Sequence, residues 1–262
     1  MLIFTLLIKA AFAGTIVLIL SVFAERLSPR IAGVISGAPL GALISYYLLG
    51  IEKGIGFVTA SIPHAIVGIA GVLIFVITYY AISIRVVSFN ALKSTFGGLF
   101  IFVVFAFVIR EIPFSVLSAL PVTIITALIA AFGFRRAKDL HVVEPVRLNF
   151  SMLALRAGIS AIFVISVVTL GKLLGPIWAG VLIGFPMTWL PTILIIQYTY
   201  SRDHAYAMFR GFPLGIGSVL TYLASVSWSF SKLGVHLGTL TSLTLAIGYL
   251  FVVTWKFDLK KS

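Results

Sequence analysis

Two basic residues stand inside otherwise apolar segments of this chain, 147 residues apart. Lys9 and Arg156 each lie about two helical turns, ~12 Å, into their segments. A charge at such a depth is costly and usually marks a solute pathway, which here would attract an anion. The alternative is that both long side chains extend back to the lipid headgroups. The matched positions favour an anion site.

Glycines and prolines recur with the same spacing of 147 residues. Leu27–Pro39 has the sequence LSPRIAGVISGAP and Leu174–Pro186 has LGPIWAGVLIGFP, with seven of thirteen positions identical. Each segment ends in a proline near the middle of a long apolar stretch. Such a proline removes a helical hydrogen bond, and in lipid the freed groups are tolerated where they face protein or a water-filled cavity. Broken helices at matching points of two halves are typical of a transport site, although glycines at this spacing also serve plain helix packing.

All seven acidic residues lie at the ends of apolar segments or between them. This argues against a cation site of the carboxylate type and favours an anionic substrate. His64 and Arg210 lie near opposite ends of matching segments, as further site residues or as ordinary interface residues. The predicted substrate-binding residues are Lys9, Arg156, Ser36, Gly37, Pro39, Gly184, Pro186, His64 and Arg210.

Composition decides the class of protein. Hydrophobic residues make up 61% of the 262 residues and charged residues 10%, and the mean hydropathy is +1.18. Lipid must therefore be the solvent. The net charge of +12 is assigned to cytoplasmic loops and not to nucleic-acid binding. There is no cysteine, no phosphate loop, no nucleophile elbow, no pair of carboxylates and no metal-ligand spacing. We expect no enzyme activity, no cofactor and no metal.

The apolar segments predict about nine transmembrane helices, each of about 20 residues. They are Leu2–Ala24, Ile31–Gly50, Ser61–Ile82, Leu92–Ile109, Phe114–Phe134, Phe150–Gly171, Trp178–Tyr198, Tyr206–Ser229 and Val235–Trp255. The loops on the side of the carboxyl terminus then hold thirteen lysines and arginines, against four on the other side. This asymmetry predicts an external amino terminus and a cytoplasmic carboxyl terminus.

The repeat and the helix count together predict an all-α polytopic membrane protein with inverted topology. Five spans separate matching points, so two four-helix repeats enter the membrane from opposite sides. Residues 1–110 form the first repeat, residues 111–148 hold the linker helix and a cytoplasmic loop, and residues 149–262 form the second.

Aromatic residues near the predicted span ends are assigned to the interfacial belts of the membrane. These are Tyr46, Tyr47, Tyr79, Tyr80, Trp178, Tyr198, Tyr200, Trp228 and Trp255. Trp189 is the exception, because it stands inside a predicted span between Pro186 and Pro191.

Three features resemble the small GlpM-type bacterial membrane proteins: Ile8-Lys9-Ala10 in the first segment, Ala32-Gly33 with a mid-span proline in the second, and Glu52-Lys53-Gly54 after it. The family consists of single four-span units, so the resemblance covers each half and leaves the fifth helix over. The second half has Thr199-Tyr200-Ser201 in place of the acidic-basic pair. The resemblance implies an integral membrane protein linked to exopolysaccharide production, with no established catalytic residues.

We therefore expect a small secondary transporter of an anionic or phosphate-bearing solute in the plasma membrane, with its site between the two proline-broken helices. Two alternatives remain open. One is a lipid-phosphate flippase. The other is a non-transporting component that assists envelope polysaccharide production and binds partner helices through its glycines. The expected partners are membrane lipids and the solute, and either a second copy of the chain or an envelope-system protein.

Overall fold

The computed structural model of the chain describes Val34 and residues 37–86, 90–136, 150–199 and 201–258. All regular structure in these ranges is helical, which confirms the all-α prediction. The eight α-helices are α1 (Leu40–Lys53), α2 (Ile55–Ser83), α3 (Asn90–Ile109), α4 (Val116–Gly133), α5 (Phe150–Leu174), α6 (Pro176–Ile183), α7 (Trp189–Thr199) and α8 (Arg202–Asp258), with a 3-10 turn at Phe134–Arg136. The predicted first span, Leu2–Ala24, and most of the loop after α4 lie outside the described residues.

Five of the described helical stretches are long and apolar enough to cross a membrane: Ile55–Ser83, Asn90–Ile109, Val116–Gly133, Ala157–Leu174 and Ala205–Trp255. The protein is thus membrane-embedded. The last stretch has 51 residues, about 77 Å at 1.5 Å per residue, more than twice the ~30 Å of a bilayer core. Gly234 interrupts it with φ 74° and ψ 178°, so it has the length for two passes. The total of nine spans stays a prediction.

Two of the predicted spans are not continuous helices. In Ile31–Gly50, helix α1 begins only at Leu40, after a turn at residues 37–39. In Trp178–Tyr198, helix α6 ends at Ile183 and α7 begins at Trp189. Pro39 and Pro186 stand inside these interruptions. A proline removes a helical hydrogen bond and favours a break, although Pro63, Pro121 and Pro213 lie inside the continuous helices α2, α4 and α8.

Two sets of side-chain contacts mark the two ends of the bundle. At one end, Lys172 Nζ lies 2.5 Å from Glu52 Oε2, which joins the end of α5 to the end of α1. At the other, the ring of Tyr80 lies 5.4 Å from the rings of Phe134 and Tyr206, which joins the ends of α2 and α4 to the start of α8. We call these the Glu52 end and the Tyr206 end.

Helix α2 lies at the centre of the bundle and contacts α1, α3, α4, α6 and α8. Helix α4 lies at the edge and exposes large apolar side chains such as Leu117, Leu128 and Phe132. In a membrane protein these side chains face lipid, which solvates them as well as a protein core does.

The assignment of all nine aromatic residues to interfacial belts is wrong for two of them. Tyr46 and Tyr79 are fully buried. Tyr79 donates a hydrogen bond to Gln197 Oε1 at 2.6 Å, and Tyr46 accepts one from Ser61 Oγ at 3.1 Å. Both rings turn inward because polar partners on neighbouring helices lie within reach. Trp228 and Trp255 are exposed, as a belt requires.

Candidate binding site

A small cavity lies where the two interrupted helices meet. Its volume is about 50 Å³, which is room for a few water molecules or one compact solute. The cavity is lined by Gly37, Ala38, Pro39, Gly41, Ala42, Ile69, Val72, Ile183, Gly184, Phe185, Pro186, Met187, Thr188, Trp189, Phe212, Ile216 and Val219.

Most of these lining residues form pairs at the repeat spacing of 147. The pairs are Gly37 with Gly184, Ala38 with Phe185, Pro39 with Pro186, Gly41 with Thr188, Ala42 with Trp189, Ile69 with Ile216, and Val72 with Val219. Each half of the chain therefore supplies the same set of positions to the cavity wall.

The backbone follows the same course at both interruptions. The N–H of Gly37 donates to the carbonyl of Val34 at 3.0 Å, and that of Gly184 donates to Val181 at 3.1 Å. The next hydrogen bonds match as well. The N–H of Leu40 donates to the carbonyl of Ala38 at 2.8 Å, and that of Met187 donates to the carbonyl of Phe185 at 2.7 Å. A turn of this kind lets the chain leave one helix and start the next at nearly the same depth.

Glycines bring the two halves into close contact beside the cavity. A Cβ atom added at Gly37 would overlap the backbone of Gly215, and one added at Gly184 would overlap the backbone of Gly68. The two crossings are related by the repeat, since Gly68 and Gly215 are also 147 residues apart. In each half, the glycine at the Gly37/Gly184 position contacts the glycine at the Gly68/Gly215 position of the other half. This reciprocal pairing is the pattern of a two-fold interface.

The starts of α1 and α7 bring unpaired backbone donors to the cavity. In α1, the N–H of Leu43 donates a hydrogen bond to the carbonyl of Pro39. In α7, the N–H of Leu190 donates one to the carbonyl of Pro186. The N–H groups of the two residues before each of these leucines have no backbone partner, as expected in the first turn of a helix. These donors belong to Gly41, Ala42, Thr188 and Trp189, which all line the cavity. The partial positive charge of a helix start adds to their preference for an anion.

Trp189 supplies one more donor. Its side chain is 2% exposed, and its indole Nε1 has no hydrogen-bond partner. The ring packs against Phe209 and Phe212, both at 5.2 Å between centroids, and against Phe75 and Tyr79 on α2. We call Trp189 and these four rings the aromatic cluster. An indole N–H donates only, so the group that satisfies it must be a hydrogen-bond acceptor.

Among the described residues that line the cavity, none carries a charged side chain. The wall combines apolar side chains with backbone and indole N–H donors. No carboxylate among them could neutralise a cation. The chemistry available in this part of the chain is the binding of an acceptor, such as an anion or a carbonyl oxygen.

The structure brings four of the predicted binding residues together: Gly37, Pro39, Gly184 and Pro186 all line the cavity. His64 and Arg210 do not line it. His64 is buried, and its Nε2 lies 3.2 Å from the carbonyl oxygen of Ile112. Arg210 is half-buried on α8 and has interactions of its own.

The remaining predicted residues stay predictions. Lys9 and Ser36 lie outside the described residues, and so does the side chain of Arg156, although its backbone belongs to α5. The interpretation of Lys9 and Arg156 as a matched pair of anion-attracting charges is therefore untested.

Sequence reasoning placed Trp189 inside a predicted span but did not assign it to the site, and it missed the glycine crossings. The repeat held a signal for the crossings, because Gly68 and Gly215 belong to the same 147-residue register as the paired prolines. It held none for Trp189, since the matching position is Ala42.

Comparison of the chain with protein-family models, with curated proteins and with solved structures finds no match.

Proposed function

We propose that the protein is a small secondary transporter that carries an anionic solute through the cavity between the two interrupted helices. One observation carries the proposal. The starts of two helices, related by the internal repeat, meet at a cavity lined by unpaired N–H donors and by no acid among the described residues. Half-helices that begin at a shared site are the usual anion-binding device of inverted-repeat transporters.

The reciprocal glycine crossings support an inverted relation of the two repeats. Helix α1 runs from the cavity to the Glu52 end, where Glu52 meets Lys172. Helix α7 runs from the cavity toward the Tyr206 end, where Gln197 bonds to Tyr79 and Asn90. The two half-helices thus leave the cavity in opposite directions, as inverted repeats require. With this topology the chain has nine spans, and α4 is the linker helix that inverts the second repeat.

The charge distribution orients this arrangement in the plasma membrane. Lys53, Arg110 and Lys172 belong to the Glu52 end, and Arg135 and Arg136 follow α4 at the Tyr206 end. Over all loops and the carboxyl-terminal tail, the sequence places thirteen lysines and arginines on the side of the Tyr206 end against four on the side of the Glu52 end. This excess assigns the Tyr206 end to the cytoplasm. The amino terminus is then external and the carboxyl terminus cytoplasmic.

The glycines bear on the alternative of a non-transporting component. Gly37, Gly41, Gly180 and Gly184 all face other segments of this chain, where an added Cβ would meet a neighbouring atom at 3.0 Å or less. They are occupied in packing the bundle itself and do not form a free stripe for a partner helix. This observation favours the transporter.

The proposal is tested on purified full-length protein that retains Trp189 as its sole tryptophan, with Trp178, Trp228 and Trp255 changed to phenylalanine. Bromide, a compact anion that quenches indole fluorescence by contact, should quench Trp189 saturably. Carboxylates and phosphates are then tested as competitors. The same anions are offered to sealed vesicles containing the wild-type protein, and protein-dependent flux is measured.

A variant that keeps only Trp228 is the matched control, because Trp228 is 56% exposed and does not line the cavity. Its quenching should rise linearly with bromide and not saturate. If no anion binds at Trp189 and none crosses the vesicle membrane, the protein is not an anion transporter.

A further inference from the structure

Four buried hydroxyl groups among the described residues have no hydrogen-bond partner. Two of them, on Ser94 and Thr95, lie on α3, which does not line the cavity, and the other two lie on helices that do. Ser45 on α1 and Tyr222 on α8 are both 0% exposed, and neither Ser45 Oγ nor Tyr222 Oη makes a hydrogen bond. An unsatisfied buried hydroxyl is destabilising, so each such group in a native structure calls for an explanation.

Both residues continue the cavity in one direction. Ser45 follows Gly41 by one helical turn, and Tyr222 follows Val219 by nearly one turn; Gly41 and Val219 line the cavity. Since α1 runs toward the Glu52 end, the two hydroxyls lie beyond the cavity on that side. Tyr46, the neighbour of Ser45 in the chain, is also buried, but its hydroxyl has a partner in Ser61.

At the matching positions of the repeat, which lie on the Tyr206 side of the cavity, neither residue has a free hydroxyl. The counterpart of Tyr222 is Phe75, a member of the aromatic cluster, and the counterpart of Ser45 is Thr192. The hydroxyl of Thr192 already donates to the carbonyl of Thr188 at 2.6 Å. The repeat therefore does not demand free hydroxyls at these positions, and their presence beside the cavity in one half alone indicates a use.

We propose that Ser45 and Tyr222 form a second binding position, the hydroxyl subsite, through which a compact monovalent anion passes between the cavity and the Glu52 end. This rests on the proposed function and narrows its substrate class. Among the described residues, the cavity and the subsite provide only neutral donors. A multiply charged phosphate would lose far more hydration than such donors replace, whereas a monovalent anion of halide or nitrate size loses less. The cavity volume of about 50 Å³ sets the same limit on size.

The test uses Ser45→Ala and Tyr222→Phe, which remove the hydroxyls and keep the packing. The half-saturating bromide concentration for flux into vesicles should rise about tenfold to a hundredfold, the range for a hydrogen bond to a charged group. Thermal stability in detergent should stay equal or increase, because each variant removes an unsatisfied polar group. Weaker transport together with undiminished stability is a combination that a structural role does not produce.

Matched controls remove hydroxyls that already have partners. Tyr249→Phe deletes a bond to the carbonyl of Leu214, and Ser166→Ala deletes one to the carbonyl of Ile162. Both controls should transport bromide as the wild type does.

The outcomes separate this inference from the proposed function. If bromide quenches Trp189 in the wild type but both hydroxyl variants keep wild-type flux, the hydroxyls only hold water and the subsite is refuted. If phosphate is carried and bromide and nitrate are not, the substrate class is wrong while the transporter stands. If no anion binds or crosses, both proposals are overturned.

Discussion

At the scale of single residues, Trp189 distinguishes the two halves of the chain most clearly. It occupies the position of Ala42 in the other half, so the cavity has a bulky donor on the Tyr206 side and a methyl group on the Glu52 side. Trp189 is at once the first residue of α7, a wall of the cavity and the centre of the aromatic cluster. These three roles can be separated by substitution.

We expect Trp189→Phe to weaken anion binding about tenfold, which is the loss of one hydrogen bond to a charged group, ~1.4 kcal/mol. The phenyl ring keeps part of the stacking against Phe209 and Phe212, so the fold should survive with a modest loss of stability. Bromide-dependent thermal stabilisation of the purified protein measures the affinity. Phe209→Leu is the control, because it removes a ring that packs on Trp189 but does not line the cavity; it should lose stability without a comparable change in affinity. Wild-type affinity in Trp189→Phe would exclude the indole as a ligand.

At the scale of elements, the glycine crossings allow α2 and α8 to approach the interrupted helices. Backbone meets backbone at Gly184 and Gly68, and again at Gly37 and Gly215. Close approach of this kind is what small residues provide in membrane bundles, where packing between helices is the main source of stability. A single methyl group at either crossing must push the helices apart.

Gly184→Ala should therefore destabilise the protein by about 1–3 kcal/mol, the usual cost of overpacking. Gly158→Ala is the matched control. Gly158 lies on α5 with nothing within 4 Å of an added Cβ, so alanine should be neutral or stabilise the helix by about 0.5–1 kcal/mol. Unfolding in mixed micelles measures both variants. Equal stabilities would show that the crossing is looser than described.

A second element-scale feature is a chain of hydrogen bonds that joins four helices at the Tyr206 end. Tyr79 donates to Gln197 Oε1 at 2.6 Å, Gln197 Nε2 donates to Asn90 Oδ1 at 2.6 Å, and Asn90 Nδ2 donates to the carbonyl of Ser83 at 2.9 Å. The hydroxyls of Ser83 and Tyr206 lie 2.6 Å apart. This chain ties α2, α3, α7 and α8 together beyond the aromatic cluster.

Tyr79→Phe should lower the free energy of unfolding by about 1–3 kcal/mol, because it leaves the half-buried Gln197 oxygen without its donor. Gln197→Leu should lower the free energy of unfolding by less than the sum expected for its separate hydrogen bonds. Combining it with Tyr79→Phe should lower that free energy little further, because both changes break one network. A double-mutant cycle of unfolding free energies measures this coupling. Fully additive effects would mean that the Tyr79–Gln197 bond contributes nothing.

At the scale of the whole molecule, the two ends of the bundle differ in what closes them. The Tyr206 side of the cavity has the aromatic cluster followed by the hydrogen-bonded chain, and the Glu52 side has Ala42, Ser45 and Tyr222. Under the proposed orientation, the aromatic cluster and the hydrogen-bonded chain would close the cytoplasmic side of the cavity. An inverted-repeat transporter needs such a difference between its two gates in any one state.

The topology can be checked directly because the chain has no cysteine. Lys232→Cys and Arg135→Cys place single thiols at exposed positions of opposite predicted sides. A membrane-impermeant maleimide should label position 232 in intact cells and position 135 only after permeabilisation. Glu111→Cys is a second external site. Labelling of positions 135 and 232 from the same side would contradict the inverted topology.

The sequence by itself determined the class of protein and the places where helices are interrupted. The class follows from a local rule, since lipid cannot satisfy backbone polar groups and spans must be long apolar helices. The interruptions follow from proline together with the repeat. Pro39 and Pro186 stand at matching mid-span positions, whereas the unmatched Pro63, Pro121 and Pro213 lie inside continuous helices. The 147-residue register is also a property of the sequence alone, and it indicated that the two interruptions correspond.

Only the tertiary structure decided which residues meet at the cavity. A helix that is apolar on all sides has no stripe to show which face turns inward, so the sequence could not separate the buried Tyr46 and Tyr79 from the exposed Trp228 and Trp255. The same holds for Ser45, Tyr222 and the indole of Trp189, whose missing partners become visible only when all neighbouring helices are in place. Burial and hydrogen-bond satisfaction depend on contacts between distant segments, and those contacts exist only in the packed bundle.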